Sequence, residues 1–178
     1  MHLPKLAQPY ILRFMATHDS YNPLKYFLDK SSPASWKAIG ALSQAAGADA
    51  REAGLGEELI ELINLRISQI NGCTYCLNVH TERALKIGIS EQRRALLPAW
   101  EDAAVYSDKE KAALRLAEAV TDLPSAEERD FAQIFAKSFL TDAEFGAVQW
   151  LAITMNATNR ISIMSHHPVR EKPAREKK

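Results

Sequence analysis

The chain has 178 residues, of which 47% are hydrophobic, and its 22 basic residues are balanced by 22 acidic ones. This is enough apolar material for one packed domain that needs neither disulfides nor a structural metal. Because the chain has no net charge, no overall field draws it to nucleic acid or to an anionic membrane, and a small molecule or another protein is the expected partner.

The apolar segments of the chain do not form a targeting or membrane-spanning pattern. Residues 1–5 do not build the apolar core of a signal peptide. The longest apolar stretch, residues 145–155, is interrupted by Gln149 and is shorter than the roughly 20 residues that a membrane helix needs. We therefore expect a cytoplasmic protein with no membrane partner.

Two long helices are predicted in the first half of the chain. The first begins at Ser32 and Pro33, a capping residue followed by a proline suited to the first helical position, and continues toward Gly47 or Gly54. The second covers residues 57–70, where apolar side chains occupy a wide face at helical spacing. This second helix is expected to be largely buried.

The next predicted helix carries the two cysteines of the chain. Asn71 and Gly72 interrupt the preceding helix, because glycine is costly in a helix interior and Asn-Gly favours a tight turn. A new helix should start at or near Cys73, run to Lys86 and be closed by Gly88 in a left-handed conformation. The Cys-x-x-Cys pair would then lie at a helix N-terminus.

The remaining patterns also indicate helices. Residues 90–100 predict a short helix stopped by Pro98. Three capping boxes mark three further helix starts: Ser107 with Glu110, Ser125 with Glu128, and Thr141 with Glu144. Residues 160–163 alternate in polarity over too short a run to predict a strand. The expected fold class is all-α, a single-domain helical bundle.

The predicted organisation has three parts. Residues 1–30 form an N-terminal arm or short helices, because apolar and aromatic residues are scattered there around a proline. Residues 31–168 form the helical domain. Residues 169–178 are rich in charge, and a flexible, solvated tail is expected there rather than a binding patch.

The candidate catalytic residues are Cys73, Cys76, His80 and Glu61. The cysteines and His80 stand at positions i, i+3 and i+7 of one predicted helix and so share a face. Two thiols one turn apart can close a disulfide, and a helix N-terminus favours the reactive thiolate. His80 can take a thiol proton, and Glu61 can hold His80 or exchange protons with it from the preceding helix. Proximity to His80 favours Cys76 as the reactive thiol, whereas the helix dipole favours Cys73.

A structural zinc site is the main alternative for the two cysteines and His80, since thiolates and imidazoles are good zinc ligands. Glu61, His166 or His167 could supply a fourth ligand, but the usual second Cys-x-x-Cys or histidine pair is absent from the sequence. We therefore expect no metal and no cofactor. His166 and His167 are otherwise expected to be solvated or packed.

The candidate residues also carry a family resemblance. Glu61, the run Cys73-Thr74-Tyr75-Cys76 and His80 match the signature of the AhpD-like alkylhydroperoxidases, within the carboxymuconolactone decarboxylase superfamily. Residues 65–73, 78–81, 96–100 and 156–160 look like that family too. The best-known members have a histidine where this chain has Tyr75, and we expect Tyr75 to support the site by packing at its mouth.

The resemblance implies a fold, an activity and partners. The fold is an all-helical protomer that associates into trimers or hexamers. The activity is reduction of hydrogen peroxide or organic hydroperoxides by a dithiol, with Cys76 attacking the peroxide, Cys73 resolving the product as a disulfide, and an external dithiol resetting the pair. A lyase acting on a ring lactone is the alternative enzyme, although a decarboxylase has no evident need for paired thiols. A non-catalytic redox sensor or binding module is the third alternative.

Overall fold

The structure, a computed structural model, describes Asn22 and residues 24–170, and this part of the chain is helical throughout, without strands. Its elements are α1 (Leu28–Ser31), α2 (Pro33–Glu52), α3 (Glu57–Ile70), α4 (Thr74–Lys86), α5 (Glu91–Leu96), a 3-10 turn (Leu97–Ala99), α6 (Asp108–Asp122), α7 (Ala126–Lys137) and α8 (Asp142–Met164). The predicted all-α fold class is confirmed.

The helix boundaries follow local signals in the sequence. All three predicted capping boxes form, with the hydroxyl and carboxylate of each pair bonded to the other's backbone N–H. The first long helix passes through Gly47 and ends before Gly54, which takes a left-handed φ of 95°. Pro98 does not act as the predicted stop. The helix ends earlier, at Leu96, and Pro98 lies inside the following 3-10 turn, where a missing N–H is tolerated.

The centre of the bundle is formed by α3 and α8. Helix α3 packs against α4, α6 and α8, and α8 also packs against α2. Nine of the fourteen α3 residues are buried, as the sequence predicted. Leu62, Ile63 and Ile67 are fully enclosed, and each contributes roughly 2 kcal/mol through removal of its side chain from water. This burial fixes the helix from which the site is built.

The turn between α3 and α4 places the first cysteine. Gly72 adopts a φ of 65°, a left-handed conformation that glycine reaches without a steric penalty. The backbone N–H of Cys73 then donates to the carbonyl of Ser68 at 3.1 Å. The side-chain amide of Asn71 donates to Asn156 and Asn159 of α8, at 2.8 and 3.0 Å. The turn is therefore held by both backbone and side-chain hydrogen bonds.

The structure covers the predicted parts of the chain unequally. Of the predicted arm, residues 1–30, only Asn22 and residues 24–30 lie within the described part, and of the predicted tail, residues 169–178, only the first two do. The boundaries of the helical domain, 31–168, remain a prediction. None of the helices between residues 24 and 170 has both the length and the apolar character that a membrane span requires.

Candidate active site

The two cysteines face each other at the start of α4. Cys73 is the N-cap, and its sulfur accepts the backbone N–H of Cys76 at 3.4 Å. Both cysteines are free thiols, and their Sγ atoms lie 2.7 Å apart. Cys73 is 1% exposed and Cys76 is 7% exposed. The predicted convergence of the two sulfurs is present in the structure.

The environment of the pair makes the two thiols unequal. The thiol of Cys73 donates a hydrogen bond to the sulfur of Cys76, and this bond lowers the pKa of Cys76 to about 6. The polar side chains of Ser162 and Asn159 and the charge of His80 also lower the pKa of Cys76, while burial opposes them. The same hydrogen bond, together with burial, raises the pKa of Cys73 far above its ordinary value. At neutral pH Cys76 is therefore the thiolate and Cys73 the protonated donor.

His80 and Glu61 form a buried pair beside the thiols. Nδ1 of His80 lies 2.7 Å from Oε2 of Glu61, and both residues are less than 10% exposed. Because an ionised carboxylate only accepts, Nδ1 carries a hydrogen and Nε2 is the nitrogen that can exchange a proton. Arg83 Nη1 lies 3.9 Å from the other carboxylate oxygen. The predicted coupling of α3 to α4 through Glu61 and His80 is present.

The interaction between His80 and Cys76 is electrostatic in this structure. The hydrogen bonds of the described residues include the bond from His80 to Glu61 but none from His80 to either sulfur. Both His80 and Cys76 line the same cavity, and the charge of His80 favours the Cys76 thiolate. A direct hydrogen bond by which His80 could take the thiol proton is thus not formed between these residues.

The cavity over Cys76 has a volume of about 490 Å³. Its apolar wall consists of Trp36, Ile60, Val79, Leu151 and Met155. Arg51, Arg83 and Tyr75 also line it, and Tyr75 is 40% exposed. A cavity with an apolar wall and a few convergent polar groups is the usual form of a small-molecule site.

Several residues around the thiols were not predicted from the sequence. Ser162 and Asn159 come from α8, more than eighty positions after the cysteines, and no local pattern links them to Cys-x-x-Cys. Trp36 comes from α2, is 44% exposed and lines the cavity. His167, expected to be solvated or packed, is half-buried, packs against Phe27 and Tyr75, and bonds to Ser162. Tertiary contacts, not a motif, bring Ser162, Asn159 and Trp36 to the site.

The thiols do not form part of a larger cluster of metal-ligating side chains. Across residues 24–170 no group of three or more His, Cys, Asp and Glu side chains is arranged to hold a metal ion. His80, the third ligand of the zinc alternative, is bonded to Glu61, one of the three residues considered for the fourth.

Comparison with known proteins identifies a family and a relative that match part of the chain. The sequence model of the carboxymuconolactone decarboxylase family matches residues 37–119. The uncharacterised protein YdfG of Bacillus subtilis (strain 168) is 35% identical over 113 residues, which make up 64% of this chain and 77% of YdfG.

A solved structure shares the fold. ATU0492 from Agrobacterium tumefaciens is a protein of unknown function that has been suggested to be the antioxidant defence protein AhpD. Its crystal structure matches with a TM-score of 0.71 and 29% identity, over 84% of this chain and 98% of ATU0492. The sequence match and the shared fold agree with the resemblance carried by Glu61, the Cys-x-x-Cys pair and His80. The chain is therefore an AhpD-like member of the carboxymuconolactone decarboxylase superfamily.

Proposed function

We propose that the protein is a thiol-dependent peroxidase that reduces hydroperoxides through a dithiol and disulfide cycle of Cys73 and Cys76. The observation that carries this proposal is the pairing of an ionised Cys76 with a protonated Cys73 at 2.7 Å, at the edge of a cavity. A buried thiolate is a strong nucleophile, and a second thiol in contact with it can close a disulfide without a large movement.

The cycle needs only groups already described and two co-substrates. The Cys76 thiolate attacks the distal oxygen of the hydroperoxide; an S–O bond forms, the O–O bond breaks, and the alcohol leaves with the proton held by His80. Cys76 is now a sulfenic acid. Cys73 attacks its sulfur, releasing water and forming the disulfide, and an external dithiol then reduces the pair. Glu61 acts by holding His80 in the orientation and charge state that this proton transfer needs.

The cavity supports an organic hydroperoxide as substrate. Hydrogen peroxide would fill only a small part of about 490 Å³, and it would gain nothing from an apolar wall that includes Trp36 and Met155. An alkyl or aryl hydroperoxide buries apolar surface there, and this contact favours its binding over that of hydrogen peroxide. The external dithiol, the trimeric or hexameric assembly, the cytoplasmic location and the supporting role of Tyr75 belong to this proposal as well.

The decisive experiment separates the two thiols. Reduced protein is mixed with cumene hydroperoxide under stopped flow, and the oxidised cysteines are mapped by mass spectrometry after trapping with dimedone. Cys76→Ser should consume no peroxide, because the nucleophile is gone. Cys73→Ser should consume one equivalent and accumulate a dimedone adduct at Cys76, because the sulfenic acid is no longer resolved. Peroxide consumption by Cys76→Ser at the wild-type rate would contradict the assignment.

The same experiment distinguishes the alternatives. A lactone-cleaving lyase would turn over its substrate without any change in the oxidation state of Cys73 and Cys76. A redox sensor or binding module would form the disulfide once but would show negligible turnover with each reductant. Multiple turnovers with a dithiol such as dihydrolipoamide or dithiothreitol would favour the peroxidase.

A further inference from the structure

One buried polar side chain of the cavity wall has no hydrogen-bond partner within the described part of the chain. The buried residues of this wall that carry polar side chains are Glu61, Asn64, Cys76, His80, Thr154 and Ser162. All of them except Asn64 form a side-chain hydrogen bond to another described residue. The backbone carbonyl of Asn64 accepts the hydroxyl of Ser68 at 2.8 Å, but its carboxamide bonds to none of the described residues.

The carboxamide of Asn64 faces the cavity. Asn64 is 7% exposed and lines the cavity together with Cys76. Among residues 24–170, the unpaired side-chain nitrogen and oxygen atoms that are sealed from solvent belong to Arg93 and Arg115. The unpaired amide atoms of Asn64 therefore keep accessible surface, which opens into the cavity. A carboxamide has two N–H donors and an oxygen that accepts two bonds, so a molecule in the cavity is what can satisfy them.

The register of α3 and α4 places Asn64 at the level of Cys76. Three residues connect the two helices, so they run antiparallel, and the bond between Glu61 and His80 fixes their alignment. Asn64 is one turn closer to the connection than Glu61, on the same face of α3. Cys76 is likewise one turn closer to the connection than His80, on the same face of α4. Asn64 therefore faces Cys76 as Glu61 faces His80.

The groups around Asn64 leave its carboxamide available. The Cys76 sulfur is bonded to Cys73, and no hydrogen bond joins it to Asn64. The carboxylate of Glu61 is bonded to His80, and the hydroxyl of Thr154 donates to carbonyls of its own helix. A lysine or arginine at position 64 would instead be attracted to the thiolate of Cys76. A neutral amide stays free for a substrate, and the buried apolar wall strengthens the bonds that it makes.

The free carboxamide matches the hydrogen-bonding groups of a hydroperoxide. A hydroperoxide carries one O–H donor, on the distal oxygen, and lone pairs on both oxygens. The amide oxygen can accept this O–H while an amide N–H donates to the other oxygen. An amide with both kinds of group can thus bind the two oxygens at once and fix the direction of the O–O bond.

We propose that Asn64 binds the O–OH group of an organic hydroperoxide in front of Cys76 and stabilises the alkoxide that leaves. Oδ1 accepts the O–H of the distal oxygen, and Nδ2 donates to the proximal oxygen, which is bonded to carbon. The distal oxygen is then presented to the sulfur, and the organic part lies against the apolar wall. This inference rests on the proposed peroxidase function and adds to it the residue that binds the reacting group.

The electrons and protons balance in this step. The Cys76 sulfur supplies an electron pair to the distal oxygen, the S–O bond forms, and the O–O bond breaks with its electron pair going to the proximal oxygen. The alkoxide takes the proton held by His80 and leaves as an alcohol. The sulfur is oxidised to a sulfenic acid as the peroxide is reduced. Asn64 gains and loses no proton, and its N–H bond strengthens as charge develops on the proximal oxygen.

Asn64→Leu tests the proposal, because leucine has nearly the size of asparagine but neither a donor nor an acceptor. Full-length reduced protein is mixed with cumene hydroperoxide under stopped flow. We expect the second-order rate constant to fall by about tenfold to a hundredfold, as for the loss of one hydrogen bond to a charged group. Asn78→Leu is the matched control and should react at the wild-type rate, since Asn78 bonds to Glu82 and does not line the cavity.

A second oxidant separates substrate binding from an effect on the thiol. Dithiodipyridine, a small chromogenic disulfide, reacts with the Cys76 thiolate but contains no oxygen to be bound. Its rate with Asn64→Leu should therefore stay within about twofold of the wild-type rate. A parallel fall of the hydroperoxide and dithiodipyridine rates would show that Asn64 acts on Cys76 itself, and this would overturn the proposal.

Thermal unfolding provides the readout that a structural role would change. A buried amide without partners does not stabilise the fold, so Asn64→Leu should unfold at the wild-type temperature or above it. Asn64→Ala cannot introduce a clash, and it repeats the kinetic test if the leucine variant does not fold. A clear loss of stability in Asn64→Leu together with an unchanged hydroperoxide rate would assign the amide to the fold and overturn the proposal.

Failure of this inference is distinguishable from failure of the proposed function. Hydroperoxide consumption by the wild type and by the folded Asn64 variants at the same rate would overturn the role of Asn64 and leave the peroxidase standing. A wild type that consumes no hydroperoxide would overturn both. A selective loss of the hydroperoxide rate in the Asn64 variants would support both.

Discussion

Two polar clusters, one buried and one half-buried, are built on the same helix, and they differ in what surrounds them. Glu61 of α3 bonds to His80 at the edge of the cavity. Five residues later, Arg66 bonds to Glu118 at 2.5 Å, and Glu118 also accepts the indole N–H of Trp100 at 2.7 Å. Five residues turn a helix by about 140°, so the two clusters lie on different faces of α3.

The two clusters differ in whether a polar atom remains without a hydrogen-bond partner. In the Arg66 cluster the charged groups are paired with each other and a tryptophan completes the set. In the Glu61 cluster the carboxylate holds His80, whose second nitrogen has no partner among the described residues, and a thiolate lies nearby. A closed network stabilises a fold, whereas an open one beside a cavity can exchange protons. A substitution at Glu61 should therefore lower activity, whereas the matched substitution at Glu118 should lower stability and leave activity unchanged.

The largest expected effect is on the rate of peroxide consumption. Glu61→Gln removes the carboxylate that holds Nδ1 of His80, and we expect the rate of peroxide consumption to fall by about a hundredfold. Stopped-flow measurement at neutral pH tests this. Glu58→Gln is the control, since Glu58 lies on the same helix but pairs with Arg93 away from the cavity. A Glu61→Gln rate within about twofold of the wild type would show that the pair is only structural.

The second effect is on stability. Glu118→Gln leaves Arg66 without its ion partner in a mostly buried position, and the free energy of unfolding should fall by about 2 kcal/mol. The peroxide rate should not change. Chemical denaturation measures the loss, with Glu101→Gln as the control, because the pair of Glu101 and Arg115 is more exposed and should cost less than about 1 kcal/mol. An equal loss of unfolding free energy in Glu118→Gln and Glu101→Gln would contradict the greater contribution expected of the less exposed pair.

The smallest expected effect is on the pKa of Cys76, the thiol beside the Glu61 cluster. Cys73→Ala removes the main hydrogen bond that lowers the pKa of Cys76, so this pKa should rise from about 6 by at least about one pH unit. Because a lowered pKa favours the thiolate at pH values above it, the variant should need a higher pH for the same rate of alkylation. Thiolate absorbance during a pH titration gives the value directly. Cys73→Ser keeps a donor and should shift the pKa less.

The sequence predicted the elements of the fold better than the surroundings of the thiols. Capping boxes and the Asn71-Gly72 turn are local signals, and they place the helix starts correctly, including that of α4. The meeting of Glu61 with His80 could be inferred because only one turn separates their helices. The places of Ser162 and Trp36 could not be, since their positions depend on how α8 and α2 pack in three dimensions. The order of the thiols was left open for the same reason.

The unequal access to the two sulfurs constrains the regeneration of the protein. Cys76 lines the cavity, while Cys73 is 1% exposed and does not. In the proposed cycle an incoming reductant would therefore meet the Cys76 end of the disulfide, so that the mixed disulfide would form there and Cys73 would be the departing sulfur.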